Sequence, residues 1–231
     1  AAASDLAGLL EYAVGVDVRQ RGPRGVQADI SIRGATFEQT LVLLDGVKLV
    51  DPQTGHHSLD LPVALDDIER IEILSGPGSR LYGPNAFGGV INLVTRKPDG
   101  ERYEALAQAG SHGSRRLRAA ASVASGNWSH RLSAERDRSD GWRENTDHSI
   151  DNYALQSAWR KSDSELRLLA GRTDKQFGAR DFYTNRFPWQ WESTSSRFAS
   201  AAFEQQRGVL NWQTSASYRR HDDEFLLDRH D

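Results

Sequence analysis

The sequence predicts an α+β domain followed by antiparallel transmembrane β-barrel strands (all-β). Three observations carry this. Up to Pro98, short apolar runs are separated by Gly, Pro and Asp, as in a small mixed domain. After Pro98 the pattern becomes long period-two alternation, which puts one set of side chains on each face of a sheet. The connections between alternating segments are short at one end and long at the other, as in outer-membrane barrels. The boundaries that follow are residues 1–98 for the first domain and 101–231 for the second.

In the first domain, Ser4 is placed to cap a short helix whose apolar side is Leu6, Leu9, Leu10 and Ala13. The runs "ADISI" (28–32), "TLVLLDG" (40–46), "IERIEIL" (68–74) and "GVINLVT" (89–95) read as strands. Asp45-Gly46 predicts a hairpin, because a type I′ turn needs positive φ at both central residues. Asp66-Asp67, just ahead of Ile68, is read as a possible helical turn.

In the second domain Tyr103, Ala105, Ala107 and Ala109 share one face, and Leu117, Ala119, Ala121 and Val123 alternate with Arg116, Arg118 and Ser122. Leu210, Trp212, Thr214, Ala216 and Tyr218 repeat the pattern, with further strands near 127–137, 150–161, 165–173 and 197–205. "SGN" (125–127), "KSDS" (161–164) and "QQRG" (205–208) are the short turns. Residues 139–149 and 174–196 are the long connections, and "SHGS" (111–114) is short for its side. Trp128, Trp159, Trp212 and Tyr218 lie toward strand ends, where interfacial aromatics sit. The competing reading is a soluble two-domain protein whose second half is a sandwich with its apolar face turned inward. Seven strands are an awkward total for an up-and-down barrel, so the sequence is expected to be an incomplete fragment of a larger one.

Composition bounds the function. The 231 residues carry a formal net charge of -3, which suggests no nucleic-acid partner. No run of 18 apolar residues is present to make a transmembrane helix. Cys is absent, which removes disulfides and thiolate metal sites. There is no G-x-S-x-G elbow and no H-E-x-x-H, so the chain does not read as an enzyme and no cofactor is expected.

The glycine-rich stretch "SGPGSRLYGPNAFGGVINLVT" (75–95) invites a phosphate-loop reading, which fails. After Gly78 and Gly83 come Pro84 and Asn85 where a Walker loop needs Lys and Ser or Thr. After Gly76 and Gly78 comes Leu81 where a dinucleotide fingerprint needs a third Gly. Glycine also serves positive φ and close backbone approach, and that use fits here.

"ISIRG" (30–34), "TLVLLDGVKLVDP" (40–52) and "DDIERIEILSGPGSRLYGPNAFGGVINLVTRKP" (66–98) together resemble the plug domain of TonB-dependent outer-membrane receptors. The resemblance implies a plug over 1–98, the opening strands of a 22-stranded barrel behind it, and a place in the bacterial outer membrane. It implies uptake of a large, scarce nutrient, cobalamin or a ferric siderophore-type metal complex, driven by the TonB energy-coupling protein. The segment that would recruit TonB is expected to lie outside this sequence. Outer-membrane lipid and an organometallic or metal-chelate ligand complete the expected partners. A non-transporting binding or signalling receptor on the same scaffold is the alternative. "FGARDFYTNRFPWQWE" (177–192) is similar, more weakly, to a segment of the cobalamin-receptor branch.

The resemblance places the turns after Gly34 and Pro52 at the ligand-facing apex of the plug, so Phe37, Glu38, Gln39, Gln53, Thr54, His56 and His57 are candidate ligand contacts. The two histidines stand at no strong metal spacing with other ligands, so no metal site is assigned to them. The long connection at 174–196 holds Phe177, Phe182, Tyr183, Phe187, Trp189 and Trp191; of these, Phe182, Tyr183, Trp189 and Trp191 are taken as ligand contacts. Packing of the loop on itself is the competing use of its aromatics. Arg33, Glu69, Arg70 and Glu72 are candidates for the charge cluster that ties plug to barrel in the family. Ser75 stands where the family commonly has a basic residue, which puts that arrangement in doubt.

Overall fold

The computed structural model describes residues 5–50 and 55–230. They form two compact units. The first holds the N-terminal region to Leu61, then Leu65–Thr95 and Phe182–Thr184; the second holds Pro62–Ala64, Arg96–Asp181 and the remainder from Asn185.

The first unit opens with α1 (Leu6–Leu10), where the Asp5 carboxylate accepts the Gly8 amide at 2.8 Å. Asp5 thus fills the cap position; Ser4 lies outside the described residues. Leu6, Ala7 and Leu10 are buried while Leu9 faces out, so the apolar stripe is narrower than the spacing suggested. β1 (Val16–Gln20) pairs antiparallel with β2 (Ala28–Ile32). β3 (Thr40–Leu44) turns through Asp45 and Gly46, at φ 49° and 79°, into β4 (Val47–Lys48). That is the double positive φ of a type I′ turn. A single 3-10 turn (Leu65–Asp67) leads into β5 (Ile68–Ser75), then come α2 (Ser79–Tyr82) and β6 (Gly89–Thr95).

The sheet order is β4-β3-β6-β5, with β3 and β6 parallel and the other pairs antiparallel. β3 is buried at every position, which is why "TLVLL" reads as a continuous apolar run instead of alternating. Leu41, Leu43, Ala86 and Val90 form a core cluster against which Val50 and Tyr82 pack. The Asp45 carboxylate accepts both the amide and the hydroxyl of Thr95, each at 2.8 Å, locking the hairpin turn to the end of β6. The glycines divide between the two uses expected. Gly76 and Gly83 take φ of 122° and 84°, whereas a Cβ on Gly89 would come within 2.6 Å of the Leu74 carbonyl oxygen.

The second unit is one antiparallel sheet in chain order: β7 (Arg102–Ala109), β8 (Arg115–Ser125), β9 (Trp128–Ser139), β10 (His148–Lys161), β11 (Ser164–Gly178), β12 (Trp191–Arg207) and β13 (Leu210–Leu226). Tight turns join β8 to β9, β10 to β11 and β12 to β13; the longer connections all lie at the other end. β11 and β12 run further than expected, which cuts the connection of 174–196 to residues 179–190. Phe177 and Trp191 are therefore strand residues, and Phe177 is fully buried.

Burial on β8 and β9 is inverted relative to a water-soluble sheet, while β10 to β12 enclose a mixed face that includes Ile150, Phe177 and Phe198. Arg116, Arg118, Ser122, Arg131, Ser133 and Glu135 are buried, whereas Leu117, Val123, Leu132, Tyr153, Leu155 and Tyr218 are exposed. The buried face is held by ion pairs: Glu104 accepts from Arg118 at 3.0 Å and from Arg131 at 2.8 Å, and Arg116 reaches Glu135 at 2.8 Å. A sandwich would turn the apolar set inward, so the soluble reading of this half is not supported. The sheet is open among the described residues, with β7 and β13 at its edges. No helix among them is long and apolar enough to cross a membrane.

Candidate ligand-binding site

The first unit brings together a run of polar and aromatic side chains. β2 contributes Asp29, the segment before it Arg21 and Gln27, the turn after Thr36 contributes Phe37, and residues 55–60 contribute His56. Phe182 and Tyr183 belong to the same unit. Asp29 divides its oxygens: Oδ2 is 3.2 Å from Arg21 and Oδ1 is 2.7 Å from His56 Nδ1. Arg21 also donates to the Phe182 carbonyl at 2.7 Å and lies 5.5 Å from the centroid of the Tyr183 ring. The Gln27 amide donates to the Tyr183 hydroxyl at 3.0 Å. At the far end His56 stacks on Phe37, centroids 4.6 Å apart.

Local sequence explains the fit. A Cβ on Gly22 would come within 2.8 Å of the Phe182 ring, so the chain passes this aromatic only without a side chain. Asp29 is nearly buried and would be costly there unpaired, and its two cationic or imidazole partners meet that cost. The interior of the run is fixed by these contacts, while Tyr183 keeps 46% exposure. Such a surface offers two aromatic faces and several donors and acceptors, suited to holding a large polar molecule. No nucleophile is paired with a base in it.

Of the residues singled out from sequence, Phe37, His56, Phe182 and Tyr183 meet in this run. Glu38 is exposed, and its backbone carbonyl accepts from Asn85 at 3.5 Å. The Gln39 side chain accepts the Thr36 amide at 3.3 Å, so it braces its own turn. His57 is buried with Nδ1 3.4 Å from Asp60, so the adjacent histidines engage different carboxylates. Gln53 and Thr54 lie outside the described residues. Trp189 and Trp191 belong to the second unit, where Trp189 meets His230 edge-on at 4.9 Å. Arg21, Gln27 and Asp29 were not singled out. The available signal was a carboxylate inside the apolar run "ADISI".

The four proposed cluster charges are only partly together. Arg70 pairs with Glu72 at 2.8 Å, and Asn92 donates to Glu72 at 2.8 Å. The Asn92 hydrogen bond, followed by that from Arg70, holds the Glu72 carboxyl below its ordinary range. Arg33 is exposed at φ 51° and forms no ion pair among the described residues, and Glu69 is exposed.

Comparison with known proteins agrees with this architecture. Residues 1–90 match the TonB-dependent Receptor Plug Domain family model. The chain is 41% identical over 93 residues to the vitamin B12 transporter BtuB of Vibrio vulnificus (strain CMCP6), covering 40% of this chain and 15% of that protein. It is 37% identical over 94 residues to BtuB of Vibrio cholerae serotype O1 (strain M66-2), covering 41% and 15%. The matched part thus spans about a seventh of these curated relatives, as the 15% coverage states. The ferric yersiniabactin uptake receptor FyuA of Yersinia pestis superposes with a TM-score of 0.77 at 17% identity, over 95% of this chain and 38% of that one. The copper transporter OprC gives a TM-score of 0.79 at 20% identity, over 98% and 37%. The structural likenesses bear on the fold.

Proposed function

We propose, from the premise that this chain belongs to the TonB-dependent receptors, that it serves active uptake of a cobalamin-type ligand across the bacterial outer membrane. The observation that carries this is the 41% identity over 93 residues to a vitamin B12 transporter. The inverted faces of β8 and β9 support the membrane part of the reading: apolar side chains meet lipid while charged ones are enclosed. The first domain, residues 1–98, is the plug, and the strands from 101 onward belong to the barrel wall.

In this reading Tyr183, Phe37 and His56 meet the ligand, and Arg21 and Asp29 hold them in position. A corrinoid presents a large ring edged by amide groups, for which aromatic faces and mixed donors and acceptors are the matching chemistry. The energy-coupling protein TonB then acts on the plug. No catalytic step is proposed.

The test uses the full-length protein in cells that lack any other corrinoid transporter. Growth dependent on nanomolar cyanocobalamin, abolished without TonB, is the expected result. Growth that instead follows a ferric chelate, with no corrinoid binding by isolated membranes, would replace the substrate.

A further inference from the structure

Two long connections of the second unit and the segment after β13 meet at one side chain. Asn145, between β9 and β10, is 6% exposed and takes φ 55°. Its Nδ2 donates to the Pro188 carbonyl at 2.9 Å and to the Gln190 carbonyl at 2.7 Å, both between β11 and β12. Its Oδ1 accepts from Arg229, beyond β13, at 2.9 Å. Arg229 also grips both oxygens of Asp147, at 2.6 and 3.2 Å. The partners fix which way the amide points, since carbonyls only accept and a guanidinium only donates.

These contacts tie off the neck of the connection 179–190, which bears Phe182 and Tyr183. Its outgoing limb is held where Gly178 donates to the Asp147 carbonyl at 2.9 Å and Ala179 to the Gln190 carbonyl at 2.8 Å. On its returning limb three consecutive carbonyls are taken: Pro188 by Asn145, Trp189 by the Arg229 amide at 3.0 Å, and Gln190 by Ala179 and Asn145. The approach is close. A Cβ on Gly178 would stand 2.5 Å from the Asn145 carbonyl oxygen. Asn suits its position on three counts, since it tolerates left-handed backbone, supplies two donors and supplies an acceptor. Asp offers no donor there, and Gly offers no side chain.

We infer that Asn145 is a positioning residue for ligand capture: by closing the neck it presents Tyr183 in one place before the ligand arrives. The inference rests on the uptake reading given above, in which Tyr183 meets the ligand. A connection left open at its neck would have to be ordered during binding, and that cost would fall on affinity. With the neck closed, the ordering is done when the chain folds. Arg229 carries the same restraint to the segment after β13, so the three pieces of chain hold one arrangement. Without the clamp only the fraction of molecules with Tyr183 in place can bind, which lowers the association rate and leaves dissociation unchanged.

The test uses the full-length protein, with cysteine at a single labelling position and cyanocobalamin as the probe. Asn145→Gly accepts the left-handed backbone and removes the side chain. Asn145→Asp keeps the shape and the acceptor for Arg229 and removes both donors. A nitroxide at the exposed Asn185 reads the connection, and one at the exposed Asn127, in the tight turn joining β8 to β9, reads the sheet. Both variants are expected to sharpen the spectrum at position 185 and not at 127. Both should slow cyanocobalamin association about tenfold, with dissociation within about twofold of the parent. Equal sharpening at position 127 would reduce Asn145 to a general structural contact and overturn the inference. Faster dissociation at an unchanged association rate would make it a ligand contact instead, with the same result. A parent that binds no cyanocobalamin sinks the uptake reading and the inference with it. A parent that binds, while position 185 stays ordered in both variants, sinks the inference alone.

Discussion

Asp29 and His56, 27 residues apart in sequence, are joined at 2.7 Å between Oδ1 and Nδ1. The same carboxylate holds Arg21, so one nearly buried acid orients both ends of the candidate ligand surface. Asp29→Asn keeps the shape and removes the charge. We expect ligand affinity to fall by roughly tenfold and stability by about 1–3 kcal/mol, the range for weakening a buried charged hydrogen bond. Titration calorimetry of the full-length protein beside thermal melting reads both, and an unchanged affinity would remove Asp29 from the site.

Tyr183 and Arg21 make a second test. Arg21→Ala deletes the bond to the Phe182 carbonyl and the contact with the Tyr183 ring. Cleavage by added protease near Asp181 should then rise about tenfold, since a charged hydrogen bond is worth roughly 1.5–3 kcal/mol. Arg21→Lys, which retains charge but not the planar fork, should recover only part of the protection.

Gly89→Ala is expected to destabilise the first unit by about 1–3 kcal/mol, because the added methyl meets the Leu74 carbonyl and the Ile32 side chain in a filled space. Gly100→Ala, where nothing lies within 4 Å but φ is +59°, should cost less, about 1 kcal/mol. Denaturant melts of the two variants should keep that order.

Glu72 supplies the acid-sensitive contact. Its folded carboxyl lies below its ordinary value of 4.5, so it contributes stability above that value and loses it as pH falls through the lowered one. Glu72→Gln should therefore lower stability slightly at pH 7 and flatten the acid limb below about pH 4.5, parent and variant converging in acid. An acid limb identical in parent and variant would show that the Arg70 and Asn92 contacts do not hold in solution.

Much of the fold could be read from residue pattern, and the failures have physical reasons. "ADISI" and "GVINLVT" became β2 and β6 with the expected bounds, because buried strands announce themselves as apolar runs. β1 was missed, since "VDVRQ" carries only two apolar residues and buries just Val16. The extensions of β11 and β12 were missed for another reason. Segments such as Asp174–Lys175–Gln176 and Ser193–Thr194–Ser195 are polar on both faces, so alternation fades while the backbone ladder continues. The site was half legible. Phe37, His56, Phe182 and Tyr183 stand out by residue type, whereas Arg21 and Asp29 matter through partners that local sequence does not name.

The opposite burial of the two units also imposes an order in time. β3, with Leu41, Val42, Leu43 and Leu44 all enclosed, gains its stability from leaving water. β8 and β9 expose Leu117 and Leu132 and enclose arginines, so water gives those faces no such incentive. A unit of the first kind can settle in an aqueous compartment, at the size where small domains fold alone. The exposed apolar faces of the strands have to be kept from other copies until an apolar surrounding covers them.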